Sequence, residues 1–130
     1  MKYMLMLNTI RESGGIPAWS RGDLEAHMDF MHALNRELQE AGERVLAEGL
    51  ASPEQARLVR AGKNGVPDTD GVFPESKEFL AGFWIVDVET AERAYAIAAK
   101  ALAAPGPGGP PLNMPIEVRA LMSAPPREMV

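Results

Sequence analysis

Short apolar runs and longer helical patterns alternate along this chain, and their order is what most constrains its fold. Residues 3–7 form an apolar run too short for a helix, and helically spaced apolar residues follow from 23 to 41. Residues 83–88 form a second apolar run, and an alanine-rich helical stretch follows from 89 to 102. Two strand–helix–strand units predict an α+β fold: a ferredoxin-like antiparallel sheet with two helices on one face.

The remaining segments complete this prediction. Further strands are expected at 44–50 and 116–122, and an inserted β-hairpin turns at Lys63-Asn64-Gly65. Pro74 is suited to the first turn of a short helix that would end at Leu80. Residues 105–115 alternate proline with glycine, which predicts a surface linker that takes no part in ligand binding. We therefore expect one domain over residues 1–122 and a C-terminal tail over 123–130.

The first strand is apolar on both of its faces. Because side chains alternate across a strand, Tyr3 and Leu5 lie on one face, and Met4 and Met6 lie on the other. The run FWIVDV at 83–88 repeats this pattern. Two helices can cover only one face of a sheet, so the second face predicts a partner subunit. A homodimer is the expected state.

Composition and charge exclude several classes of protein. The formal net charge of −5 argues against nucleic-acid binding, and the chain has no cysteine for a disulfide or a thiolate nucleophile. The N-terminal apolar run is too short to cross a membrane, so a cytoplasmic protein is expected. No nucleotide or metal motif is present, and we predict no cofactor. His27 and His32 diverge by roughly 140° on a helix, which argues against a shared metal.

Several ionisable residues stand in positions suited to chemistry. His27 lies within the apolar stripe of its helix, one turn after Asp23, and could be a general base or a buried structural histidine. Glu117 and Arg119 share one face of the last strand, and Glu48 lies among leucines. These three side chains are compatible with a polar pocket, an ion pair between subunits or an ordinary solvated edge strand.

A resemblance to a known family rests on residues 70–78, which have the sequence DGVFPESKE. This segment resembles the D-G-P-F-x-E-T/S-K-E signature of the YCII-related, or DGPF-domain, family, with Val72 where that family usually has proline. The opening residues 1–4, the strand end at 48–50, Gly82-Phe83 and the strand IEVR at 116–119 are also similar. The resemblance implies a ferredoxin-like fold that pairs into a dimeric α+β barrel. Most members of the family have no established activity, and a histidine–aspartate pair has been proposed for some.

Two functional hypotheses follow. In the first, a homodimer binds an unidentified small molecule in a cleft near the DGVF loop. In the second, the protein is an enzyme that transfers protons on a small anionic organic substrate. The candidate catalytic residues are Asp70 and His27. The candidate substrate-binding residues are Arg119, Glu48, Glu117, Glu75 and Lys77, although the charged residues of the loop could equally form salt bridges among themselves.

Overall fold

A computed structural model describes residues 1–10, 19–72, 78–112 and 114–123; for Ile10 and residues 70–72 it describes the backbone alone. Within these ranges the chain forms six strands and two α-helices. In chain order they are β1 (Lys2–Ile10), α1 (Arg21–Glu40), β2 (Arg44–Gly49), β3 (Arg57–Ala61), β4 (Pro67–Val72), β5 (Glu78–Asp87), α2 (Ala91–Ala101) and β6 (Ile116–Ala120).

Four strands form the main sheet in the order β2-β5-β1-β6. Every neighbouring pair in it is antiparallel, and β3 and β4 pair as a separate two-stranded antiparallel sheet. The predicted α+β class with an antiparallel sheet is therefore confirmed, and this strand order is compatible with a ferredoxin-like fold. One local prediction is wrong: residues 78–80 were expected in a helix but belong to β5, where they pair with the end of β1.

Both helices pack on one face of the main sheet, which we call the helix-covered face. Its strand residues Tyr3, Leu5, Trp84 and Val86 are all buried, and they alternate along β1 and β5 as the strand period requires. Leu34 and Leu38 of α1 and the small side chains of α2 complete this core. The alanines of α2 allow its backbone to lie close to the sheet, which is why three of them are buried: Ala94, Ala98 and Ala101.

The opposite face carries Met4, Met6, Phe83 and Ile85, and we call it the helix-free face. These four side chains are half-buried, although no helix of the described chain packs against them. Leu46 on β2 pairs with Ile85, and 39% of its surface is exposed. The helix-free face is therefore apolar, and the described part of the chain leaves it open.

Each helix begins at a side-chain cap. The Ser20 hydroxyl accepts a hydrogen bond of 3.1 Å from the Asp23 backbone N–H, and the Thr90 hydroxyl accepts one of 3.2 Å from the Arg93 N–H. Neither described helix is both long and apolar enough to span a membrane.

An ion pair joins the start of α2 to the residue before β2. The Arg93 guanidinium donates to both Glu43 carboxylate oxygens, at 2.8 and 2.7 Å. These hydrogen bonds from Arg93 lower the pKa of Glu43 below its ordinary value, and Glu43 in turn raises the pKa of Arg93. The pair ties the second helix to the sheet.

Candidate functional site

A cavity of about 590 Å³ opens between the middle of α1 and the helix-covered face. Its wall combines side chains of α1, β1, β5, the segment after β2 and the segment before β6. Most of these side chains are apolar, among them Leu7, Met28, Met31, Phe79, Leu112 and Met114.

A β-bulge in β5 turns Phe79 toward the cavity. Leu7 pairs with Gly82 and Thr9 pairs with Phe79, so β5 has one more residue than β1 over this interval. The extra residue shifts the alternation, and Phe79 therefore shares a face with Trp84. At Gly82 a Cβ atom would lie 3.1 Å from the backbone oxygen of Glu48, so glycine is favoured where β5 approaches β2 most closely.

The α1 side of the cavity consists of residues one turn apart. His27, Met31 and Asn35 follow each other at four-residue intervals and all line it, with Met28 and His32 beside them. The sequence predicted Leu24 and Met28 as part of the buried stripe. They are 48% and 43% exposed, and Met28 lines the cavity. His32 is exposed at the cavity wall.

His27 is held by a backbone carbonyl. Its Nδ1 lies 3.0 Å from the carbonyl oxygen of Pro105, and its ring meets Trp19 edge to face at a centroid distance of 5.0 Å. A carbonyl oxygen only accepts hydrogen bonds, so Nδ1 must carry the proton. In the neutral ring Nε2 is then the nitrogen with the free lone pair, which is the arrangement that a general base requires.

Asp23, the expected partner of His27, has a different role. Its carboxylate accepts a hydrogen bond of 2.8 Å from the Gly108 backbone N–H. Asp23 and His27 therefore bind two points of the same turn, at residues 108 and 105, and do not pair with each other within the described contacts. The Pro105 carbonyl, and not a carboxylate, is therefore the hydrogen-bond partner of the His27 ring within the described residues.

Residues 104–112 form a hydrogen-bonded turn and not the extended linker that was predicted. The Gly106 N–H donates to the Pro110 oxygen at 2.6 Å, and the Leu112 N–H donates to the Ala104 oxygen at 2.9 Å. Leu112 and Met114 then line the cavity. The prolines do remove donors, as expected, but the glycines between them supply the donors that close the turn.

Asn35 and Trp84 make a further polar contact in the cavity wall. The Trp84 indole N–H donates to Asn35 Oδ1 at 3.0 Å. Because the indole nitrogen is a donor only, this contact fixes which end of the amide is oxygen. Neither residue was predicted from the sequence as part of a site. The sequence did contain one indication of Asn35, because it lies two turns after His27 and asparagine is unfavourable within a helix.

The structure separates His27 from three other predicted site residues. In the strand register Glu48 pairs with Phe83, Phe83 with Met6, and Met6 with Glu117. Glu48 borders the cavity, but alternation with Ala47, which packs on the core, directs its carboxylate to the helix-free face. Three strand spacings, about 14 Å, separate Glu48 from Glu117.

Arg119 lies beside Glu117 on the same face, with Nε 3.8 Å from the Glu117 carboxylate. The structure therefore joins Glu117 to Arg119, but it does not bring either residue to His27. Glu75, Lys77 and the side chain of Asp70 lie outside the described residues. In the described part of the chain, no group of three or more His, Asp or Glu side chains could hold a metal ion.

The sequence matches a known protein family. The family model of the YCII-related domain matches residues 1–104, most of the sequence. The chain belongs to the YCII-related family. Comparison with curated proteins finds no match. The family match of this YCII-related protein includes both helices and every cavity residue up to the turn, and it ends before β6. The domain boundary at residue 122 stays a prediction.

Proposed function

We propose that this YCII-related protein binds a small organic molecule in the cavity between α1 and the helix-covered face. The observation that carries the proposal is the cavity itself. Its volume of about 590 Å³ falls within the range of small-molecule sites, and its wall is mostly apolar with a few oriented polar groups. Phe79, which follows the DGVF segment in sequence, contributes to the wall.

We further propose that two copies pair through the helix-free face, as a dimeric α+β barrel requires. Met4, Met6, Phe83 and Ile85 support this pairing, because a monomer rarely leaves a continuous apolar sheet face open. A stable interface of this kind buries roughly 800 Å² per subunit. The ion pair between Glu117 and Arg119 lies on the same face and would be covered with it. Location in the cytoplasm stays a prediction from the sequence.

Tryptophan fluorescence can test the binding proposal directly. The chain has two tryptophans, Trp19 and Trp84, and both line the cavity. We expect the uncharged dye Nile red to bind saturably with one site per chain and to quench this fluorescence.

A cavity-filling variant supplies the control. Gly49 lines the cavity, and a Cβ atom there meets nothing within 4 Å, so Gly49→Leu should weaken Nile red binding on the order of tenfold. Gly22 is equally open but lies on α1 outside the wall, so Gly22→Leu should leave binding unchanged. Equal binding by both variants would place the dye elsewhere and count against the proposal.

A second candidate function, proton transfer on a bound substrate, is favoured by the orientation of His27. With Nδ1 held by the Pro105 carbonyl, Nε2 is available to accept a proton from a ligand in the cavity. The role proposed for Asp70 remains part of this candidate. In D2O, a cavity-bound ketone should exchange its α-protons faster with the native protein than with His27→Asn. Equal exchange rates would remove His27 as the base.

A further inference from the structure

We infer that the cavity selects an uncharged ligand with a hydrogen-bond donor at one end, for His27, and an acceptor at the other, for Asn35. The inference rests on the proposed binding function, and it names the class of molecule that the cavity takes.

Asn35 offers the ligand a donor. Its Oδ1 already accepts the Trp84 indole N–H, so the amide cannot rotate to present oxygen to the cavity without leaving that donor unpaired. Among the described residues, nothing else hydrogen-bonds to the Asn35 side chain. The Nδ2 group is therefore the polar part of Asn35 that a ligand can meet, and it carries two N–H donors.

His27 offers the ligand an acceptor. The Pro105 carbonyl fixes Nδ1 as the protonated nitrogen, and the hydrogen-bonded turn at 104–112 holds that carbonyl in place. Nε2 of the neutral ring then accepts a hydroxyl or amine hydrogen from the ligand. The two residues of the wall thus have opposite and fixed hydrogen-bonding roles.

The distance between the two groups sets the length of the ligand. Asn35 follows His27 by eight residues, which is about 12 Å along the helix axis. Helical side chains tilt in the same direction, so their polar ends keep a separation of this order. One ring with polar groups at opposite ends, extended by a hydrogen bond of about 2.9 Å at each end, spans it.

The wall between these two groups favours an uncharged molecule. Met28, Met31 and Phe79 line the cavity, and transferring an ionised carboxylate onto such a surface is costly unless a cation compensates it. Within the described part of the chain, no lysine or arginine lines the cavity. The anionic substrate expected from Arg119 therefore does not suit this site.

Four matched probes test the inference. 4-(Hydroxymethyl)acetophenone carries both a donor and an acceptor. 4-Ethylacetophenone lacks the hydroxyl donor, 4-ethylbenzyl alcohol lacks the acetyl oxygen that would accept from Asn35, and 4-(hydroxymethyl)benzoate replaces the acetyl group with an anion. We expect the first to bind most tightly, by roughly fivefold to tenfold over each compound that lacks one group, and the benzoate to bind most weakly. Tryptophan quenching and calorimetry measure the affinities.

Two substitutions identify the groups responsible. Asn35→Asp keeps an oxygen for the Trp84 indole and removes the Nδ2 donors, so it should abolish only the preference for the acetyl group. His27→Asn keeps an N–H for the Pro105 carbonyl and removes Nε2, so it should abolish only the preference for the hydroxyl group. Unchanged thermal unfolding would show that both variants retain the fold.

The outcomes separate the inference from the proposed function. If Nile red binds but the four probes bind equally, or the benzoate binds best, or none of the four binds, the inference is overturned and binding in the cavity stands. Loss of discrimination at both ends in either single variant would also overturn it. If neither Nile red nor any probe binds, the proposed function fails together with the inference.

Discussion

The two faces of the main sheet are made by the same strands but differ in how their side chains are held. On β1, Leu5 is fully buried under the helices, whereas its neighbour Met4 on the helix-free face is half-buried with no helix over it. Alternation of side chains within one strand therefore gives the two faces of the sheet different environments. One face is closed by the chain itself, and the other is not covered by any described helix.

The polar groups of the two faces differ in the same way. On the helix-covered face, His27 and Asn35 are each fixed by a defined partner, the Pro105 carbonyl and the Trp84 indole. On the helix-free face, Arg119 and Glu117 make a single contact of 3.8 Å, and their side chains are 73% and 53% exposed. Preorganised groups suit ligand recognition, whereas a loose and exposed ion pair contributes little until something covers it.

The largest expected effect is on assembly. Met6→Glu places a carboxylate at the centre of the helix-free face, directly opposite Glu117 on β6. If that face is the dimer interface, the burial of an unpaired charge should weaken dimerisation on the order of 100-fold. Sedimentation at micromolar concentration should then show the mass of one chain, 14.1 kDa, and Nile red binding should persist.

Ala96→Glu is the matched control, since Ala96 is exposed on α2 and away from the sheet. It adds the same charge and should leave the dimer intact. If the unmodified protein already sediments as a single chain, the helix-free face is not an interface. The proposal that this face pairs two copies of the chain then fails.

A smaller effect is expected at the turn that supports the cavity. Gly108 and Gly109 have φ angles of +81° and +100°, where an L side chain is strained even though space is available. Replacing both with alanine should lower the free energy of unfolding by about 2 kcal/mol and weaken Nile red binding, because the turn positions His27. Chemical denaturation measures the first effect and fluorescence the second.

Gly22→Ala supplies the contrast, since Gly22 lies within α1 and a Cβ there meets no atom within 4 Å. That variant should be as stable as the native chain or slightly more so. An alanine pair at 108–109 that leaves both stability and dye binding unchanged would restore the interpretation of this segment as a simple linker.

Some parts of the fold were predictable from the sequence alone. The alternation of residues 3–7 and the helical spacing after residue 23 are local patterns, and they predicted the elements and the α+β class correctly. The short helix expected to end at Leu80 was wrong because pairing with β1, a contact between distant parts of the chain, overrides local propensity at Glu78 and Phe79.

The candidate site was less predictable, because its orientation depends on distant partners. His27 was selected from its place on the helix, but its partner oxygen lies 78 residues further along the chain. Asn35 depends on an indole 49 residues away. Strand alternation did place Glu117 and Arg119 on a common face, but nothing in the local pattern shows whether that face meets α1 or a partner.

The smallest expected effect compares one ion pair on each side of the sheet, both at a concentration low enough for the protein to be a single chain. The bidentate hydrogen bonding from Arg93 lowers the pKa of Glu43 below its ordinary value of 4.5. This pair therefore stabilises the folded chain at pH values above 4.5. Arg93→Met should cost about 0.5–1 kcal/mol at neutral pH. As the pH falls below 4.5 and through the folded-state pKa, Glu43 becomes protonated and the difference from the parent should disappear.

Arg119→Met should cause no measurable loss at any pH, because its 3.8 Å contact with Glu117 is exposed in a single chain. Denaturation at several pH values measures both variants. If both variants lose the same free energy of unfolding, the two ion pairs stabilise the fold equally. That result would contradict the difference expected from their geometry.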